Sequence, residues 1–274
     1  MKKVLLILVL IVMLVSVCAC NYIPSNKFMS NSQVKSLVKE YGTPQAELTI
    51  NYQLNSTEYE IKIKYNLLLS QTPLAVIRFI QLAENGFYNG TVIDTYNSTN
   101  NYMILGRYSN KESAVSEGKK FFYQNKSDVT FKGEFKSNNY RQPANGYAQF
   151  KIFSLAMFHD SYKDEKTTNF DTANGTLILA TANESLNSNN YAVFAEMVSV
   201  SYKIGDKSAT VYEGKVPSDA RNNLTSQTGT EAKTVYSDAT DEMSTSVSML
   251  KQLYTVHVKI LGNNDWSKLP QIGR

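Results

Sequence analysis

The chain has 274 residues, with 28 Lys and Arg against 24 Asp and Glu and a formal charge of +4. Lys2 and Lys3 supply two of those charges and no basic run follows, so no nucleic-acid partner is expected. Two cysteines and two scattered histidines leave no Cys/His metal site, and there is no Gly-rich phosphate loop or Gly-x-Ser-x-Gly elbow, so neither metal nor cofactor is expected.

Lys2 and Lys3 precede Val4 to Val17, an apolar run of 14 residues. That is short of the roughly 20 residues a spanning helix needs and reads as a signal-peptide core. It ends in Val17-Cys18-Ala19-Cys20, which resembles the lipobox of bacterial lipoproteins, where cleavage follows a small residue and the next cysteine is acylated. Cys20 fits, with Ala19 before it and Val17 three residues back, whereas Cys18 has Val17 before it and does not. The resemblance implies a lipoprotein signal peptide over 1–19 and a lipid on Cys20. It also implies an extracytoplasmic location with anchoring to the cell membrane, and a mature chain with no free thiol. No second apolar segment is long enough to span.

Residues 20–45 are expected to hold a lipid-attached tether and a short helix. Asn21 to about Ser32 is polar and aperiodic. Val34, Leu37, Val38 and Tyr41 follow helical spacing, with Asn31 or Ser32 as N-cap and Gly42 as C-cap. Ala46 to Leu54 and Glu58 to Asn66 alternate apolar with polar around a turn at Asn55-Ser56-Thr57, a hairpin. Thr72-Pro73 opens a helix that Gly86 closes, with Val76, Phe79, Ile80 and Ala83 on its apolar face. Strands are expected at Met103–Leu105, Ala148–Phe158, Thr176–Ala182 and Ala192–Val200. His159 to Thr172 and Gly205 to about Asp241 read as loose polar insertions, and Met243, Val247 and Leu250 as a short helix. Val256, Val258 and Ile260 give a closing strand, and 263–274 a C-terminal tail. Many strands and few helices indicate a mainly β domain over 46–262, an antiparallel barrel closed or nearly so.

The segment Thr72 to Thr91, ending Gly86-Phe87-Tyr88-Asn89-Gly90-Thr91, resembles cyclophilin-type peptidyl-prolyl cis-trans isomerases, which carry Ala-Pro, a helix, and Gly-Phe-Tyr-x-Gly-Thr. Later blocks agree in order. Tyr102-Met103-Ile104-Leu105-Gly106 is similar to Phe-Met-Ile-Gln-Gly, Glu134-Phe135 to Glu-Phe and Ser154-Leu155-Ala156 to Ser-Met-Ala. Asn174 to Leu179 is similar to Asn-Gly-Ser-Gln-Phe-Phe, and Tyr191 to Phe194 to His-Thr-Val-Phe. The resemblance implies a cyclophilin-like eight-stranded antiparallel barrel capped by helices, with a groove on one outer face.

The resemblance implies rotation of an Xaa-Pro bond, whose barrier of about 18–20 kcal/mol reflects amide resonance. The catalyst then needs an apolar pocket for the proline ring and a donor aimed at the prolyl nitrogen. In the family an arginine of a Phe-His-Arg triplet, supported by a glutamine, gives that donor. Here the triplet falls on Ile93-Asp94-Thr95, so Thr95 holds the arginine position, and Leu105 holds the glutamine position. Leu177 and Leu179 replace the Gln and second Phe of the later block, Tyr191 the groove histidine, and Ser185-Leu186 a Trp-Leu pair. The expected substrate groove is therefore Tyr102, Met103, Leu177, Leu179, Leu186 and Tyr191, greasy and without a confident catalytic residue.

Arg107 and Arg141 read as solvated surface arginines, His159 and His257 as surface histidines, and Asp160, Asp164, Glu165 and Asp171 as a solvated acidic loop. Three functions remain open. The chain is an extracytoplasmic isomerase, weak or inactive, acting on extended or unfolded polypeptide segments; or a non-catalytic peptide-binding module on the same barrel; or a solute-binding or adhesive lipoprotein without it.

Overall fold

A computed structural model describes residues 22–110, 121–125, 129–141, 143, 146–159, 172–226, 229–237 and 243–273. The hairpin forms as its alternation demands. Strand β2 (Gln45–Leu54) pairs with β3 (Thr57–Leu67) around the two-residue loop Asn55-Ser56. Both loop residues are left-handed, at φ 48 and 65, the conformation that matches the twist of such a hairpin. Ala46, Leu48, Ile50 and Tyr52 point to one side, opposite Tyr65, Ile63, Ile61 and Tyr59.

The remaining strands are β4 (Thr91–Asn97), β5 (Tyr102–Asn110), β6 (Phe121–Gln124), β7 (Leu155–Met157), β8 (Leu177–Ala180), β9 (Val193–Ile204), β10 (Thr210–Glu213), β11 (Thr230–Ser237), β12 (Met243–Leu250) and β13 (Tyr254–Leu261). Running β5-β4-β13-β2-β3-β9-β7-β8 and returning through a β5–β8 pairing, eight of them close an antiparallel barrel. Its interior is filled by side chains from every strand, among them Ile50, Ile61, Val200, Leu155, Leu179, Met103, Ile93 and Val256.

Helix α1 (Asn31–Tyr41) starts at Ser30 rather than Asn31 or Ser32, because Ser30 and Gln33 form a reciprocal capping box. Helix α2 (Pro73–Glu84) follows β3 and buries Val76, Phe79 and Ile80 over one end of the barrel. At the opposite end, α3 (Ser218–Thr225) is held by Asn223 to the Tyr202 hydroxyl and by the Tyr254 hydroxyl, which donates to the Leu224 carbonyl.

Four expectations about the periphery are corrected. The stretch 205–241 is not loose where it is described. It carries β10, α3 with Ala220 and Leu224 fully buried, and β11. Met243–Leu250 is a strand, since Ser and Thr between its apolar residues favour extended chain over helix. β11 and β12 join β6 beside the barrel and bury Phe122, Val235 and Met249 against Val92 and Tyr108. Finally, 263–274 is no free tail and 20–45 holds no loose tether after residue 21: β1 (Tyr22–Pro24) pairs in parallel with β14 (Gln271–Gly273), with Ile23 and Ile272 buried. Most of the loop His159–Thr172, with its acidic residues, lies outside the described residues.

Candidate functional site

Cross-strand partners share a face, so register separates the inside of the barrel from the outside. One row runs Met103–Leu179–Leu155–Ala195, continuous with the interior. The other runs Thr95–Ile104–Ile178–Ala156–Val193 and lies outside. Met103, Leu177 and Leu179, expected as groove residues, thus point into the barrel at 0–1% exposure, as does Leu105. Tyr102, Leu186 and Tyr191 are half-buried around an outer cluster of Phe150, Ala156, Ile178, Ala180 and Val193.

The β4–β5 ladder at this edge is irregular. β4 slips twice against β5, between Thr91 and Ile93 and again between Ile93 and Thr95, so that Thr95 opposes Ile104 instead of Leu105. Such bulges bend a strand and re-aim its side chains. Gly106 assists on the partner strand. Its φ of 83 is strained for other residues, and the Tyr88 ring, 3.1 Å from where a Cβ would sit, would have to give way to one.

At the bulge sits an ion pair. Asp94 is 3% exposed, and its Oδ2 accepts from Arg107 Nε at 2.8 Å and from Arg107 Nη2. The same Nη2 donates to Thr95 Oγ1 at 3.1 Å. Arg107 is therefore no freely solvated arginine. Its guanidinium lies beside Thr95, the residue expected at the family's arginine position. Burial pushes the Asp94 carboxyl upward, and the Arg107 charge and hydrogen bonds pull it part of the way back. Arg141 is exposed, as expected.

The other flank is anchored by Glu134, fully buried. The expected cap of α2, Thr72, spends its hydroxyl on the Val193 carbonyl at 3.4 Å, and Glu134 Oε2 accepts from the Ala75 amide at 3.0 Å in its place. A carboxylate at a helix N-terminus answers unpaired amides. Burial nonetheless pushes the Glu134 pKa up to about 8, against the Ala75 and Leu74 amides that lower it. His159 is a second correction to surface placement. It is 3% exposed, stacked on Phe135 at 5.2 Å and near Tyr191 at 4.8 Å, and its Nε2 donates to the Asn190 carbonyl at 2.7 Å. His257 is exposed on β13.

Phe150, at 1% exposure, belongs to the outer cluster, with Tyr191 edge-on at 6.0 Å. The signal for Ile178 and Val193 was present in the alternation of their strands, whereas Phe150 lies outside any strand and gave none. A separate cleft of about 580 Å³ opens at the Tyr52 and Tyr254 end of the barrel. Its wall includes Tyr52 and Tyr59, whose rings stack on each other at 5.0 Å, together with Glu58, Lys203 and Lys251.

Residues 52–230 match the model of the cyclophilin-type peptidyl-prolyl cis-trans isomerase/CLD family, and the chain belongs to that family. Solved structures similar to it include a cyclophilin-type peptidyl-prolyl cis-trans isomerase from Cryptosporidium parvum, at 12% identity and a TM-score of 0.36 over 81% of this chain and 99% of that one. The same Cryptosporidium protein in the presence of the dipeptide Ala-Pro matches at 12% identity and 0.33 over 78% and 99%. Cyclophilin AquaCyp293 from Hirschia baltica matches at 9% and 0.31 over 82% and 99%. None of the curated proteins matches the sequence.

Proposed function

We propose that the protein is a lipid-anchored extracytoplasmic member of the cyclophilin family that engages extended Xaa-Pro segments along the Thr95–Val193 row and isomerises them slowly or not at all. The observation that carries this reading is the Asp94–Arg107 pair. The cation nearest to Thr95 comes from the neighbouring strand and is already committed to a buried carboxylate. Removing a preorganised donor typically costs about 10²–10³ in rate, and a neutralised donor stabilises little developing charge.

A protease-coupled assay with an Ala-Pro-containing peptide tests the rate, and amide NMR titration with the same peptide tests the binding. The expected outcome is a rate at least about a hundredfold below that of an ordinary cyclophilin, with peptide-induced shifts at Ile104, Ala156 and Ile178. Rapid isomerisation would overturn the first half of the reading, and shifts confined to the tyrosine cleft would overturn the second. Cys20→Ser tests the anchor separately. It is expected to abolish acylation and release the protein from membranes, and a wild-type mass spectrum showing an unmodified N-terminus at another residue would refute it.

A further inference from the structure

We infer that the β1–β14 edge lies directly against the membrane surface and fixes the orientation of the barrel there; this rests on lipidation of Cys20 as proposed above. The argument begins with how early the chain becomes structured. Tyr22, Ile23 and Pro24 are in register with Gln271, Ile272 and Gly273, and the Ser25 amide donates to the Gly273 carbonyl at 2.7 Å. The Lys132 amide then donates to the Ser25 carbonyl at 2.8 Å. Phe28 is held between the Tyr140 ring at 4.9 Å and Lys132 Nζ at 4.7 Å, and Met29 is buried. Ser30 immediately caps α1, whose Tyr41 stacks on Trp266 at 5.3 Å. From Tyr22 onward no slack remains.

Cys20 stands two residues before Tyr22. Two residue steps span at most about 7 Å, whereas a flexible linker of ~20 residues would give a root-mean-square reach near ~25 Å. An acyl group in the bilayer holds its cysteine at the headgroup layer. The β1–β14 edge therefore cannot leave that layer while β1 stays paired. Its composition suits the position. Tyr22 lies across Gly273 yet remains 47% exposed, an amphipathic ring of the kind found at membrane interfaces, and Lys27 is exposed in the turn that follows β1, where its amide donates to the Pro24 carbonyl. With Lys132 these cations suit anionic headgroups. The partner of this surface is a bilayer carrying anionic lipid. The same segment adjoins the candidate site, since Phe28 packs on Tyr140, whose carbonyl accepts from the hydroxyl of Tyr147, and Tyr147 shares a small cavity with Tyr191 and Val193. Substrate segments would then be met at the membrane surface, with no arm to reach outward.

The acylated mature chain has no other thiol, so single cysteines can be labelled cleanly. Gln271→Cys is exposed on β14 and lies near Cys20 only through the β1–β14 pairing. Val211→Cys, 59% exposed on β10, reports the side of the barrel toward Tyr202. The lipidated full chain carrying either label is reconstituted into phosphatidylcholine/phosphatidylglycerol vesicles doped with a headgroup nitroxide lipid. Quenching several-fold stronger at position 271 than at 211 is expected. Inserting a Gly/Ser linker of ~20 residues between Asn21 and Tyr22 is expected to erase most of that difference. Equal quenching in the unmodified chain, or a difference that survives the linker, overturns the orientation. A chain that does not float with the vesicles overturns the lipidation reading itself, so the two failures are distinguishable.

Discussion

The two faces of β5, β7 and β8 use the same short runs of sequence for different ends. Their inward residues, Met103, Leu105, Leu155, Met157, Leu177 and Leu179, are all fully buried and need only fill the barrel with apolar volume. Their outward residues, Ile104, Ala156 and Ile178, form a row whose end at Thr95 carries a displaced arginine. An interior tolerates exchange among apolar residues of similar size, so the barrel survives wide divergence. A donor array on the outside survives only if phase and identity are both kept, and here the β4–β5 register shifts twice beside Thr95. Barrel packing and the proposed site thus reside on opposite sides of the same strands and can be broken independently.

The inner side should break hardest. Val76→Asp places an unpaired carboxylate under α2 at a fully buried position, and a loss of more than about 4 kcal/mol is expected. Urea denaturation followed by circular dichroism measures it, and a loss below about 1 kcal/mol would mean that α2 does not seal the barrel. On the outer side, Arg107→Ala strands Asp94. A fully buried pair loses about 3–5 kcal/mol when one partner is removed, and with Arg107 at 31% side-chain exposure about 1–3 kcal/mol is expected. The Asp94 carboxyl is already raised by burial, and removing the cation raises it further. A raised acid contributes stability below its unfolded pKa and loses it as pH rises. The deficit of Arg107→Ala should therefore shrink on acidification toward about pH 4 and be largest near neutrality. A deficit independent of pH would assign Arg107 to packing alone.

Glu134 gives a smaller effect with a defined window. Its pKa rises from 4.5 to about 8, so its contribution is fully present below 4.5 and is lost as pH climbs through about 8. The slope of stability with pH between those limits approaches at most about 1.4 kcal/mol per unit. Glu134→Gln keeps an oxygen for the Ala75 amide and removes the titration. The variant is expected to show a flatter stability–pH profile and to match the wild type most closely at low pH. An unchanged slope would locate the titration elsewhere.

The sequence made the barrel legible because its interior obeys a period of two. Ala46 to Leu54, Glu58 to Asn66 and Val256 to Ile260 each show which side is buried, and pairing follows. The ordered blocks from Pro73 to Phe194 then named the family. The phase of the site was less accessible. Leu105 and Leu177 fall on the family's glutamines by counting, yet they pair with each other and both face inward, and the irregular β4–β5 register beside them leaves no mark in composition. The docked ends were hidden for a different reason. β1 and β14 are three residues each and are held by pairing across nearly the whole chain, which no local pattern records. His159 was misplaced because a lone polar residue beside a polar loop gives no sign of the aromatic rings, Phe135 and Tyr191, that enclose it.

The finest way to sharpen the comparison is to move the arginine. Placing Gln at 105 to imitate the family would bury an unpaired amide inside the barrel, at a cost of about 1–3 kcal/mol, and would leave the outer face unchanged. The exchange Thr95→Arg with Arg107→Thr instead keeps one cation beside Asp94, since Thr95 Oγ1 already lies 3.4 Å from Asp94 Oδ2. Stability should then shift by less than about 1 kcal/mol. The guanidinium would rise from the row itself and not reach in from the neighbouring strand, with Nη donors facing Ile104 and Ile178. Isomerisation of the Ala-Pro peptide should increase by about tenfold or more, below the full 10²–10³ of a preorganised donor because Asp94 still competes for it. The protease-coupled rate decides the matter, with the circular dichroism spectrum as a check on folding. A folded double variant with no gain would mean that the row from Thr95 to Val193 does not meet the prolyl bond. A gain matched by Thr95→Arg alone would mean that Arg107 adds nothing to the site beyond holding Asp94.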